Sequence, residues 1–149
     1  MEELINIMAS GIGALTNPNK LANTFRSEKK SVISCDTVKD YIDYLCDSFL
    51  IGKTTRYDIK GKRYINSPCK YYFMDMGLRN ARINFRQSEK SHLMENIVYN
   101  ELRSRGFNVD VGVVPVVTKG EESPVTRDES GITTISVYDF LMKDNSLEV

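Results

Sequence analysis

The chain has 149 residues, 41% of them hydrophobic, with 20 Lys and Arg balancing 20 Asp and Glu. That length supports one good core or two small ones, and the composition is that of an ordinary soluble globular protein. No apolar run reaches the ~20 residues of a membrane span, the acidic Met1-Glu2-Glu3 opening is not a secretory leader, and the widely spaced Cys35, Cys46 and Cys69 form neither a CxxC pair nor a Cys/His cluster. A cytoplasmic chain with no disulfide, metal or cofactor is expected. The zero net charge hides a split, because residues 1–90 hold 15 basic and 10 acidic residues, and the remainder hold 5 and 10.

Leu4, Ile5, Met8 and Ile12 fall at helical spacing and predict a first helix over Glu2–Ile12, ended by Gly11 and Gly13. Asn17-Pro18 is a cap followed by a first-turn proline and opens a second helix, to Ser27. A third follows over Ser34–Leu50, capped by Ser34 or Asp36, with Val38, Tyr41, Ile42, Leu45 and Phe49 on one face. The pattern then turns extended. Leu50–Asp58 and Lys70–Met74 read as strands, with a further extended piece at Arg63–Ile65 and a Gly-containing turn at Ile59–Lys62.

Asp75–Asn80 reads as a capped helical turn, and residues 84–88 as a linker. Ser91–Arg105 is the strongest helix, striped by Leu93, Met94, Ile97, Val98 and Leu102 and stopped by Gly106. A buried strand is expected over Phe107–Val117, irregular chain over Thr118–Gly131, a short strand over Gly131–Val137 and a terminal turn at Tyr138–Met142.

Helix, helix, helix and two-stranded ribbon is the winged-helix order. The ribbon carries Lys53, Arg56, Lys60, Lys62, Arg63 and Lys70 among Tyr57, Tyr64, Tyr71 and Tyr72, with Asp58 as its sole acid. Such a surface suits a polyanion, since cationic side chains displace counterions from phosphate. The third helix points the other way. It offers Asp36, Asp40, Asp43 and Asp47 against Lys39, so it is a poor reader of a DNA groove.

Enzymatic signatures are incomplete. Gly52-Lys53-Thr54 looks like the end of a phosphate-binding loop, but position 47 is Asp where that loop needs glycine, and the segment follows a helix instead of opening one. Glu95 on the strong helix, followed by Asp110, resembles the start of a metal-dependent nuclease core. Such a core needs a further carboxylate near Lys119, and position 117 is valine.

These phrases together resemble the C-terminal region of a family of prokaryotic AAA+ ATPases, in which a P-loop core precedes a winged helix and a restriction-endonuclease-like domain. The resemblance rests on Asn19–Ala22, Ser34–Ile51, Arg56–Asp58, Lys70–Phe73, Asp75–Ala81 and Met94–Gly106, and on the tail Asp128–Leu141. It implies an α+β chain: a winged helix-turn-helix domain over residues 1–82, then a truncated nuclease-like α/β remnant over 89–149. It also implies a fragment or internally deleted relative, with no ATPase core and with Glu95 as the vestige of the nuclease site. The function expected is a non-enzymatic accessory module binding DNA non-specifically through the basic wing. The alternatives are a protein-assembly or self-associating module and a free-standing winged-helix regulator.

Overall fold

The computed structural model describes residues 1–29, 33–55, 68–86, 90–111, 126–127, 133–135 and 137–143. It is a mixed α+β protein that divides into two compact units, Met1–Gly112 and Val113–Val149. No described helix is long and apolar enough to cross a membrane.

The first unit opens with α1 (Glu2–Ser10), whose acidic first turn suits the positive end of the helix dipole. Helix α2 (Pro18–Lys29) starts as its sequence prescribes, with Asn17 Oδ1 accepting the Lys20 N–H at 2.8 Å. Helix α3 (Cys35–Asp47) is capped by Ser34, which accepts the Thr37 N–H at 3.0 Å. Strands β1 (Ile51–Thr54) and β2 (Lys70–Phe73) then pair antiparallel, Ile51 opposite Phe73 and Thr54 opposite Lys70. Leu4, Met8, Phe25, Val38, Ile42, Ile51 and Phe73 meet in one core between the three helices and this ribbon.

Sequence patterning missed one element of this core. Thr16, between α1 and α2, exchanges both backbone hydrogen bonds with Cys69 at 2.9 Å, covering the outer edge of the chain entering β2. Unpaired strand edges demand such partners.

Helix α3 ends three residues earlier than its apolar spacing suggests. The Leu50 N–H donates to Leu45 O and the Phe49 N–H to Cys46 O, the two bonds of a Schellman cap. Phe49 occupies the left-handed position of that cap, with φ +57°. Helix α5 (Lys90–Ser104) ends in the same pair of bonds, from Phe107 to Leu102 and from Gly106 to Arg103, but there glycine takes the left-handed position, with φ +86°. A phenylalanine in that conformation costs about 1–2 kcal/mol that glycine avoids.

Helix α4 (Met76–Arg82) is capped by Asp75, whose carboxylate accepts the Gly77 and Leu78 N–H groups at 2.6 and 3.1 Å. Its arginines fasten it to α1. Arg79, 1% exposed, donates through Nε to Ala9 O at 2.9 Å. Arg82 Nε donates to Asn6 Oδ1 at 2.9 Å. Burial draws the Arg79 pKa below its ordinary value.

The buried strand expected over Phe107–Val117 is absent from its described part. Residues 107–110 are irregular and Phe107 is 43% exposed, while Val111 donates its N–H to Thr55 O at 2.9 Å. Alternation placed apolar residues on one side, but among the described residues no neighbouring strand pairs with Phe107–Asp110. Residues 112–117 lie outside the described chain.

In the second unit, β3 (Thr126–Arg127) pairs antiparallel with β4 (Thr133–Thr134). The expected irregular stretch therefore contains a strand. Helix α6 (Val137–Met142) follows, so Val137 is helical where a strand residue was expected. Among its described side chains Phe140 is buried.

Candidate functional site

The described candidate site residues lie on the ribbon (Lys53 and Lys70), on α5 (Glu95) and in the irregular chain after it (Asp110). On β1, Lys53 is exposed, while Gly52 and Thr54 face inward. The segment Gly52-Lys53-Thr54 is strand, which removes the helix N-terminus that a phosphate-binding loop requires. Arg56, Lys60, Lys62 and Arg63, and the turn expected at Ile59–Lys62, lie outside the described residues.

Lys70, counted with the basic ribbon on sequence, is paired with Glu95. Its ammonium lies 2.5 Å from Glu95 Oε1, and its side chain is only 17% exposed. The same carboxylate oxygen accepts the Tyr72 hydroxyl at 2.7 Å. The acid singled out as a nuclease vestige thus joins α5 to β2. Asp110 has another partner, accepting from the Thr55 hydroxyl at 3.4 Å. No cluster of three or more potential metal ligands occurs among the described residues.

Asn96 and Tyr99, the next residues on that face of α5, are its buried side chains. Asn96 is fully buried, and its carboxamide pairs with the backbone of Phe73 as another strand would. Oδ1 accepts the Phe73 N–H and Nδ2 donates to the Phe73 carbonyl, both at 2.8 Å. One turn on, Asn100 Nδ2 donates to Phe73 O at 3.0 Å and Met74 O at 3.2 Å. Tyr99 stacks on Tyr72 with ring centroids 4.2 Å apart. Its hydroxyl lies so close to β1 that a Cβ on Gly52 would sit 2.4 Å away.

Helix α5 therefore packs through its polar and aromatic face, and its apolar stripe is not the buried side. Ile97 is 41% exposed, and Leu93, Met94, Val98 and Leu102 are half-buried. An open strand edge needs donors and acceptors, which apolar side chains lack. The readable signal was Glu95, Asn96, Tyr99 and Asn100 at one-turn spacing.

Burial chiefly, then the hydrogen bond to Glu95, pushes the Tyr72 phenol above its ordinary value, and burial does the same for Tyr71. The folded state thus holds these protons more tightly than the unfolded chain. Their stabilisation is complete below about pH 10 and is lost as pH rises further, by up to about 1.4 kcal/mol per pH unit for each group. Urea titrations from neutral pH to above pH 10 should show the midpoint falling steeply at the alkaline end, and less steeply in Tyr72→Phe.

On α3 the carboxylates of Asp36, Asp40, Asp43 and Asp47 are all exposed, with Lys39 also at the surface. The helix offers phosphate a repulsive surface.

The sequence profile described as a domain of unknown function (DUF8612) matches residues 1–89, a region that ends just before α5. An uncharacterized protein of Haemophilus influenzae is 39% identical over 112 residues, which is 75% of this chain and 28% of that protein. An uncharacterized protein of Methanocaldococcus jannaschii is 34% identical over 104 residues, 70% of this chain and 22% of the relative. The chain thus spans about a quarter of the length of these relatives. No solved structure matches it. With its three core helices, its ribbon and α4 all inside the matched region, the chain belongs to the DUF8612 family.

Proposed function

We propose that the chain is a winged-helix accessory region of a larger protein, gripping duplex DNA through phosphate contacts from its basic ribbon and carrying out no reaction of its own. The observation that carries this reading is the arrangement of the first unit. An antiparallel ribbon leaves a three-helix core, Thr16 pairs beside it, and the chain between its strands holds Arg56, Lys60, Lys62 and Arg63 against Asp58. The relatives, several times longer, suit an accessory role, and the resemblance to AAA+ ATPases makes a motor protein the natural host.

The Lys70–Glu95 pair refines the residue set. Lys70 is neutralised by Glu95 and contributes little, whereas Lys53 remains available. Helix α3 turns away from the duplex, because its exposed aspartates would face phosphates at unfavourable energy. Affinity then depends on salt and hardly on sequence.

A labelled duplex titrated at several salt concentrations tests this. Changing Lys60, Lys62 and Arg63 together to Ala should remove roughly three phosphate contacts and flatten the log–log salt slope by about 2–3 units. Lys70→Ala, provided the fold is retained, should leave the slope nearly unchanged. Identical curves for wild type and the triple variant, or no binding at ~50 mM salt where such contacts are strongest, would reject the DNA reading in favour of a protein scaffold.

A further inference from the structure

We propose that the cavity between α1 and α2 is a binding site for a small monocarboxylate with an apolar body of about six carbons, its carboxylate paired with Lys20. The site uses none of the cations assigned to DNA, so it stands or falls apart from that reading.

The cavity arises from how the helices pair. Helix α1 packs mainly on α4, and α2 mainly on α3. Over β2, the last turn of α1 and the first turns of α2 enclose a cavity of about 140 Å³. Met8, Leu21 and Tyr71 are buried and form its floor, and Ile7 is half-buried at its side. Gly11 and Ala14 line its exposed mouth, and their small size keeps it open. A Cβ on Gly11 would meet only Ile7 O, at 3.4 Å.

Size and lining set the ligand's body. An apolar cavity of about 150 Å³ takes up benzene, whereas drug-sized ligands need about 300 Å³ or more. The group that fits between Met8 and Tyr71 is therefore apolar and of about benzene's size.

Charge sets its head group. Lys20 is the one charged residue among the described lining residues. Its ammonium donates to Leu15 O at 3.2 Å, which holds it beside Ala14 and Thr16 at the mouth. An ammonium has three donors, so the others can serve a carboxylate. The first turn of α2 contains no acid to neutralise Lys20, and the positive end of that helix dipole adds to the same sign. A lysine at the mouth of an apolar cavity selects an anion with an apolar tail. One carboxylate matches one ammonium, whereas a dianionic phosphate would leave a charge unmatched.

Benzoate serves as the probe, and benzyl alcohol as its neutral counterpart of nearly equal size. Titrations followed by NMR of the Ile7, Met8, Ala14 and Leu21 methyl groups test the site. Benzoate should shift them saturably, with a Kd on the order of 1 mM, a weak affinity suited to a ligand of about nine heavy atoms. Benzyl alcohol should bind about tenfold more weakly, because it lacks the charge-assisted hydrogen bond. Lys20→Met keeps the bulk of the side chain at an exposed position. It should lower benzoate affinity about tenfold and abolish the preference over the alcohol. Ala14→Leu should fill the mouth and abolish binding of both, with a urea midpoint near that of the wild type showing an intact fold. No saturable shift of these methyls by about 50 mM benzoate, or equal benzoate affinity in wild type and Lys20→Met, would overturn the proposal. Equal affinity of the wild type for benzoate and benzyl alcohol would also overturn it, and would mark the cavity as a seat for a neutral apolar group such as a partner protein's side chain.

Discussion

Replacing Asn96 with alanine should destabilise the protein by about 2–4 kcal/mol, measured by urea unfolding, through loss of two buried hydrogen bonds and a small cavity. The two bonds are not equivalent. The Phe73 carbonyl also accepts from Asn100, so it keeps a partner when Asn96 is removed, whereas the Phe73 N–H loses its bond to Oδ1. Asn100→Ala should therefore cost less, about 1 kcal/mol, since Asn96 still holds the same carbonyl. Removing both should cost more than the sum, because the carbonyl then loses both. Asn96→Leu should fare no better than alanine, since a side chain of similar size still cannot accept the amide proton. Hydrogen exchange at the Phe73 amide gives a local readout and should accelerate in Asn96→Ala. A loss below about 1 kcal/mol would mean that water replaces the carboxamide and that α5 is held mainly by other contacts.

The second large effect is expected at Tyr99 and Gly52, which act as one unit. Tyr99→Ala removes a buried ring stacked on Tyr72 and should cost about 3–5 kcal/mol. Gly52→Ala adds a methyl within 2.4 Å of the Tyr99 hydroxyl and 2.9 Å of its ring, and should cost about 1–3 kcal/mol by forcing the ring aside. Combined, they should be no worse than Tyr99→Ala alone, because the new methyl occupies vacated space. Thermal or urea unfolding of the four proteins gives the coupling. A near-zero coupling would mean that the ring accommodates the methyl by sliding, and that Gly52 serves some other need.

Much of the helical scaffold was legible in the sequence because its signals are local. Asn17-Pro18, Ser34 and Asp75 each begin a helix where their side chains can accept early N–H groups, and each does so. Ends were less legible. Gly106 announces the stop of α5, but Phe49 takes the same backbone conformation with no compositional warning, so the apolar spacing of α3 runs on to Leu50. The strand expected from Phe107 failed for a different reason. Alternation describes a face, but a strand also needs a neighbour to bond with, and periodicity does not supply one.

The candidate site was less legible. Lys70 counts as a free cation in any tally of the ribbon, and Glu95 as a free acid on a helix. They lie 25 positions apart, and only folding places one against the other. The apolar stripe of α5 suggested the wrong buried face, because hydrophobic periodicity does not see an open strand edge that needs Asn96.

The sequence by itself determined where helices begin, that a ribbon follows α3, that this ribbon is rich in positive charge, and that α3 exposes aspartates. All of these follow from neighbours within a turn or two. Tertiary structure alone decided that Thr16 covers Cys69, that Asn96 completes the edge of β2 at Phe73, that Glu95 neutralises Lys70, and that Phe49 is left in water. The first three depend on groups far apart in the chain, whose polar atoms must be paired once water is excluded, and no local pattern carries that requirement.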